Sequence, residues 1–313
     1  MGLCARLEAT REAIVARQIG GGVARPGGRI LDTVLVTPGP GFDERARITD
    51  ATIPPRLLAA DIGPGEPRRP SDVLDVHPER RTDLIERGVE IGYLHRERRD
   101  GREFVRATAR YPDDWIGGIV GIENKPDLAR PGDLDRQLRT DVALGVCDRI
   151  VLATASHVTG AHLNRIPEAV GVWRLQDGEV TVVRPAGSLA ADAGGVEITA
   201  ERPGRTDVAL VDAAAVCRAR RRIAERAYGS GWRPTFPGCK RCAVETVAGA
   251  SLPDCEYHGR PVEAGRDCGT DCPEYAPTDP PAVDAAAERD AASPWRADPP
   301  GTGRRQSGLD RYL

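Results

Sequence analysis

The chain has 313 residues, with 44 Lys and Arg against 47 Asp and Glu for a net charge of −3. That length allows one large domain or two ordinary ones, and the near-balance of charge excludes a globally basic surface, so any nucleic-acid contact is a local patch. No apolar run reaches membrane-spanning length and no signal-peptide core opens the chain, which predicts a cytoplasmic protein with no membrane partner.

Arginine supplies all the basic side chains but Lys125 and Lys240, so a Lys at these two points hints at a need for a compact ammonium. Five of the eight cysteines crowd into residues 239–272, a pattern that argues for metal rather than disulfides in such a compartment.

In chain order, "CARLEATREAIVARQI" (4–19) reads as an amphipathic helix ending in a triple glycine, and "GGRILDTVLV" (27–36) as a β-branched strand. Residues 38–111 change character, with many prolines and arginines. Within them, 81–111 reads as helix, strand, Asp-Gly turn and second strand, the outline of a winged-helix end with "RRDGRE" as its wing. "WIGGIVGIENK" (115–125) reads as a buried strand, 133–147 as a helix with Leu134, Leu138, Val142 and Val146 along one side, and 148–156 as a strand. A hairpin around Asp177–Gly178 follows over 169–186. Residues 187–235 form an acidic connector plus the helix "ALVDAAAVCRARRRIAERAYG", 236–276 a Cys-rich lobe, and 277–305 a Pro/Ala/Asp-rich disordered linker.

Glu123 and Lys125 stand two apart at the end of an apolar strand and so point to one face. A Glu there can hold a hard cation, and a Lys can orient an attacking water. The order of elements extends this. Helix, strand bearing Asp32, strand ending in Glu123-x-Lys125, helix bearing Gln137, strand and hairpin resembles the PD-(D/E)XK nuclease superfamily. The resemblance implies an α/β fold: a restriction-endonuclease-like mixed sheet flanked by helices, built from 1–37 and 112–186. The winged-helix-like α+β segment 38–111 would be inserted in it, and the Cys-rich metal lobe and a disordered C-terminal tail would follow. It further implies that Asp32 and Glu123 bind Mg²⁺ or Mn²⁺, that Lys125 helps activate water against a DNA phosphodiester, and that Gln137 and an accessory Glu8 complete the site. Asp113 and Asp114 are alternates for Asp32: if Gly117–Gly118 makes a two-residue turn, Asp113 lies nearly opposite Glu123. A DNA-binding protein without catalysis, using a winged helix and a zinc lobe, and a clamp-tethered adaptor on a degenerate nuclease fold are the alternative readings.

In the Cys-rich stretch, Cys239-x₂-Cys242 is a metal knuckle, and Cys255, His258, Cys268 and Cys272 offer the remaining ligands for tetrahedral Zn²⁺. A 4Fe-4S cluster is the rival, because some nucleases of the resembled superfamily hold one with a Cys before the core and three after it; Cys4 would be the first of these. The chain closes on "QSGLDRYL". Gln306, Leu309, Tyr312 and Leu313 resemble the peptide by which replication and repair enzymes dock on the sliding clamp PCNA. Residues three apart eclipse in a 3₁₀ turn, so Leu309 and Tyr312 form one apolar plug. As a flexible coil, the preceding linker spans roughly 30 Å.

Overall fold

The computed structural model describes residues 1–22, 28–130, 132–176, 178–189 and 193–295. From the N-terminus come α1 (Gly2–Thr10), β1 (Ile14–Gly20), β2 (Ile30–Pro38), α2 (Phe42–Ile48), α3 (Pro55–Ala59), α4 (Pro70–Val73) and α5 (Pro78–Glu90). Next are β3 (Leu94–Arg99), β4 (Arg102–Ala107), β5 (Ile116–Asn124), α6 (Leu134–Ala143), β6 (Arg149–Thr154), α7 (Gly160–Leu163), β7 (Gly171–Gln176) and β8 (Glu179–Arg184). The remainder are β9 (Gly195–Arg202), β10 (Arg205–Val211), α8 (Ala213–Ser230), β11 (Cys242–Val247), β12 (Ala250–Cys255), β13 (Arg260–Pro261), α9 (Ala264–Asp267) and α10 (Ala285–Ala292). The chain folds as two compact units, residues 1–38 with 116–295, and residues 39–115. Among the described residues no helix is long and apolar enough to cross a membrane.

The first unit is built on a six-stranded mixed sheet in the order β1-β2-β5-β6-β7-β8. β1, β2 and β5 run antiparallel in succession, β5, β6 and β7 are parallel, and β8 returns antiparallel to β7. One face carries Leu35, Ile122, Val151, Ala153 and Trp173 against Leu3, Cys4 and Leu7 of α1. The other face lies against α6 and α8, which touch β6 and β1 respectively. Gly121 is needed on that face, because a Cβ there would come within 3.0 Å of the Cys147 sulfur and 2.9 Å of Ile150. Asp148 fastens α8: its Oδ2 accepts from the Ile119 amide at 2.6 Å and from Arg220 Nη2 at 2.8 Å.

Four sequence expectations need correcting here. The helix expected over 4–19 stops at Thr10, and Arg11 is already extended (φ −131°, ψ 133°). Residues 14–20 pair with β2 in the register Ile14↔Val36 to Gly20↔Ile30, so burial of Ile14, Val15 and Ile19 in a sheet outweighs the helical propensity of this Ala/Arg-rich segment. The connector 187–235 contains the hairpin β9–β10, and α8 begins only after Asp212, whose side chain caps it by accepting from the Ala215 amide at 2.7 Å. The Cys-rich segment is not a separate lobe, because Ala250 and Leu252 of its hairpin join the core around α1. Finally, residues 277–295 are not a disordered linker. They contain α10 and Trp295, which is 4% exposed and stacks on Tyr228 with ring centroids 3.9 Å apart.

The second unit gathers Ile53, Leu57, Leu74, Ile85, Leu94 and Val105 into its own core. Its hairpin β3–β4 turns through Asp100 (φ 48°) and Gly101 (φ 74°). Two successive positive φ angles define the I′ turn that matches strand twist, and Gly adopts them at no steric cost. Arg68 adds an isolated bridge to the edge of this two-stranded sheet by exchanging both backbone hydrogen bonds with Val105, at 2.9 and 2.8 Å. Arg45 is fully buried and satisfied by the carbonyls of Thr49 and Ala51 at 2.6 and 3.0 Å.

Candidate functional site

The register Thr33↔Ile122 sets Asp32 of β2 against Glu123 of β5. Side chains alternate along a strand, and Thr33 and Ile122 face α1, so Asp32 and Glu123 emerge on the opposite face. Asp32 Oδ2 accepts from the Asn124 amide at 3.1 Å, and Gln18, at an irregular point of β1 (φ 55°), donates to Oδ1 at 3.4 Å. Lys125 follows just beyond the strand end, two residues from Glu123. Its backbone is fixed by a 2.9 Å bond from its amide to the Ala153 carbonyl, and this half-buried residue makes no ion pair among the described residues.

Two residues that sequence reasoning did not single out complete the cluster. Asp141 of α6, whose side chain is 2% exposed, lies one turn after Gln137 on the same helix face. Arg29 bridges the strands to this helix. Its Nε and Nη2 donate to Asp141 Oδ1 and Oδ2 at 2.7 and 2.8 Å, and Nη2 also reaches Glu123 Oε2 at 2.7 Å. The i, i+4 spacing from Gln137 was the signal for Asp141. Arg29 had none beyond its place just before β2.

The electrostatics show an excess of negative charge. Burial, then the charge of Asp32, pushes the Glu123 carboxyl above its ordinary range, although Arg29 pulls the other way. Burial also raises Asp141 against the pull of Arg29. Burial disfavours the Arg29 cation, but its bonds to Asp141 and the charges of Asp141 and Glu123 prevail and raise its pKa. The geometry explains both directions: one guanidinium serves two carboxylates, Asp141 and Glu123, while Asp32 beside them has no cation from it, which satisfies Arg29 and leaves the anions short of positive charge.

The other expected site residues fall elsewhere. Glu8 sits on the α1 face of the sheet, away from Glu123, where it accepts from Trp232 Nε1 at 3.0 Å and Arg233 Nη1 at 2.6 Å; it is a buried structural acid, not an accessory one. Cys4 is on that face too, with its sulfur 3.8 Å from the Thr33 hydroxyl. Gly117 and Gly118 lie inside the unbroken strand β5, so the turn that would bring Asp113 opposite Glu123 is not made. Asp113 and Asp114 belong to the second unit, where the Asp114 carbonyl accepts from the Gly41 amide at 3.2 Å.

Cys239, Cys242, Cys255, His258, Cys268 and Cys272 line one small cavity, and Cys4 is not among them. The hairpin β11–β12 builds it by pairing Cys242 directly with Cys255. Burial, then the neighbouring Cys268, Cys239 and Cys255, pushes the Cys242 thiol up to about 11; Cys268 is raised by burial and by Cys255 and Cys239. Thiols gathered around one cavity, whose thiolate forms would repel one another without a cation, are a soft donor set that fits Zn²⁺ or an iron–sulfur cluster. As the side chains stand, no three His, Cys, Asp or Glu groups among the described residues form a ready-made metal cage. Gln306, Leu309, Tyr312 and Leu313 lie outside the described residues.

No curated protein and no solved structure matches the chain. One family model, described as a family of unknown function (DUF5787), matches residues 14–277.

Proposed function

The chain belongs to the DUF5787 family, whose function is unknown, and from its own residues we propose that it is a metal-dependent nuclease of the PD-(D/E)XK kind, hydrolysing DNA phosphodiesters in replication or repair. The observation that carries this reading is the convergence of Asp32, Glu123 and Asp141 on one sheet face beside Lys125, which has no ion pair among the described residues, with the Arg29 guanidinium joining Glu123 to Asp141. The order α1, β1, β2, β5, α6, β6, with Asp32 on β2, Glu123 and Lys125 at the end of β5 and Gln137 on α6, supports a restriction-endonuclease-like core.

Asp32 and Glu123, with Asp141 beside them, would hold Mg²⁺ or Mn²⁺. The bound cation supplies Lewis-acid stabilisation of the charge that develops on phosphorus-bound oxygens. Lys125 orients the attacking water and takes part in its deprotonation as the new P–O bond forms and the bond to the departing oxygen breaks. Gln137, on the same face of α6 as Asp141, helps position that water. In this reading the second unit is winged-helix-like, the cysteine cavity holds structural Zn²⁺ or a 4Fe-4S cluster, and residues 306–313 dock on the PCNA sliding clamp. A peptide of residues 304–313 is expected to bind the clamp and to lose binding on Tyr312→Ala; absence of wild-type binding removes the clamp from the reading.

The test is cleavage of single-stranded, flapped and duplex DNA with Mn²⁺ or Mg²⁺ by wild type and Lys125→Ala. Wild type is expected to cut at least one substrate, and the variant about 10²–10⁴-fold more slowly. If neither cuts any substrate, the reading fails. The alternative, a DNA-binding protein without catalysis, draws on Arg29, which already offers a cation to two of the three carboxylates.

A further inference from the structure

We propose that the outer face of the β3–β4 hairpin grips the phosphate backbone of duplex DNA, and that helix α5 of the same unit does not. The inference rests on the reading of this chain as a DNA-acting protein, but not on its catalysis.

The hairpin register pairs Arg99 with Arg102, Glu97 with Phe104 and His95 with Arg106. Alternation then puts Val105 and Ala107 into the core and Arg102, Phe104 and Arg106 on the outer face. Two guanidiniums stand directly opposite each other at Arg99 and Arg102. Like charges at opposed positions destabilise a strand pair, so an anionic partner is the natural relief. On this face, among the described residues, no carboxylate forms an ion pair with Arg102 or Arg106, whereas Arg99 has Glu97 at 2.5 Å; on the other face Arg98 stands opposite Glu103. Phe104 holds the patch together, because the guanidinium carbons of Arg69 and Arg99 each lie 5.8 Å from its ring centroid. That cation–π contact fixes two long side chains in place. It also occupies the ring at the centre of the patch, so Phe104 is not a free platform for stacking an unpaired base, as single-strand binders require. Phosphates of a duplex are the matching partner.

Helix α5 has the opposite character. Glu79, Asp83, Glu86 and Glu90 are exposed on it, against exposed Arg80 and Arg87. Arg81 is spent on the carbonyls of Leu74 and Val76, at 3.2 and 2.9 Å. A helix with net negative charge on its open surface is repelled by a phosphate backbone.

The experiment is fluorescence anisotropy of the full chain with a labelled duplex, without added divalent ion, over a salt series. Arg99→Gln/Arg102→Gln/Arg106→Gln is expected to weaken binding at least about ten-fold near 0.1 M salt and to reduce the slope of log K against log salt by about three, at roughly 0.9 per phosphate contact. Arg80→Gln/Arg87→Gln is expected to stay within about two-fold of wild type. If the triple variant is misfolded by thermal melting, Arg102→Glu, on an exposed residue, replaces it with the same expectation of weaker binding. The proposal is overturned if wild type does not bind the duplex, if the hairpin variant binds as well as wild type, or if the α5 variant loses as much as the hairpin variant. Duplex binding that depends on the hairpin, without Mn²⁺-dependent cleavage, supports this inference and removes the nuclease reading. Cleavage with hairpin-independent binding does the reverse.

Discussion

Arg29 grips Asp141 through two parallel hydrogen bonds of 2.7 and 2.8 Å, tying the start of β2 to the buried face of α6. Bidentate pairs of this form are the strong ones, and this one lies where the carboxylates of the candidate site meet. Arg29→Gln would leave Asp141 buried without its cation, a change that costs about 3–5 kcal/mol in comparable buried pairs. The pH dependence has a definite sign. Asp141 and Glu123 have folded-state pKa values above the ordinary range, so their contribution to stability is present at acid pH and lost as pH rises through those raised values. Removing Arg29 takes away a lowering influence and widens that window. Thermal melts are expected to show a larger deficit for Arg29→Gln at pH 7.5 than at pH 5.

Three clustered carboxylates, of which Arg29 neutralises only Glu123 and Asp141, also predict a response to divalent ions. Mn²⁺ at a hundred times its dissociation constant would stabilise the protein by about 2.7 kcal/mol, read as a rise in melting temperature at pH 7.5. Acidification protonates Glu123 and Asp141 first, because their pKa values are raised, so the Mn²⁺ effect is expected to vanish before the ordinary carboxylate range is reached. Glu123→Gln is expected to abolish it at every pH. An equal shift in wild type and variant would place the ion elsewhere.

The cysteine cavity gives a separate expectation. Elemental analysis should find one zinc per chain, or an absorption spectrum should reveal an iron–sulfur cluster. Cys242 and Cys255 are paired across one hairpin, so Cys242→Ser and Cys255→Ser should each lose the metal. Cys4→Ser should keep it, since Cys4 lies on α1 against Thr33. A chelator should lower the melting temperature of wild type and leave the two metal-free variants unchanged.

Trp295 closes the first unit by stacking on Tyr228. Truncating a buried Trp to Ala costs about 3–5 kcal/mol, so Trp295→Ala should lower the denaturation midpoint by a corresponding amount. If residues 277–295 were an unpacked linker, the substitution would leave the midpoint unchanged.

The parts of this molecule that were legible in the sequence are those where local pattern and tertiary role agree. Glu123 and Lys125 stand two apart at a strand end, and the hairpin turn at Asp100–Gly101 uses residues that tolerate positive φ. Where the two disagree, the sequence misleads. Residues 13–19 have the composition of a helix, yet they form an edge strand because β2 is there to pair with. The β9–β10 hairpin carries alternating Val, Ile and Thr around Pro203–Gly204, but the acidic, Gly-rich residues before it obscure that period. Asp141 looks like one more polar residue on a charged helix until its partner is known, and Arg29, which buries it, is 112 positions away in sequence. Long-range electrostatic pairing leaves no local trace.

The second unit interrupts the chain between β2 and β5, which are neighbours in the sheet and pair as far as Pro38↔Ile116. The unit's own ends also meet, since the Gly39 amide donates to the Trp115 carbonyl at 2.8 Å. For the kinetics of assembly, this makes the insertion equivalent to a turn. Joining β2 to β5 across an unfolded segment of this length carries a closure entropy that grows as about 1.5RT ln n. Once residues 39–115 have folded, Gly39 and Trp115 are already in contact and that entropy has been spent inside the unit. An insertion that folds first therefore leaves the β2–β5 ladder, with Asp32 and Glu123 at its far end, only to zip from Pro38 and Ile116.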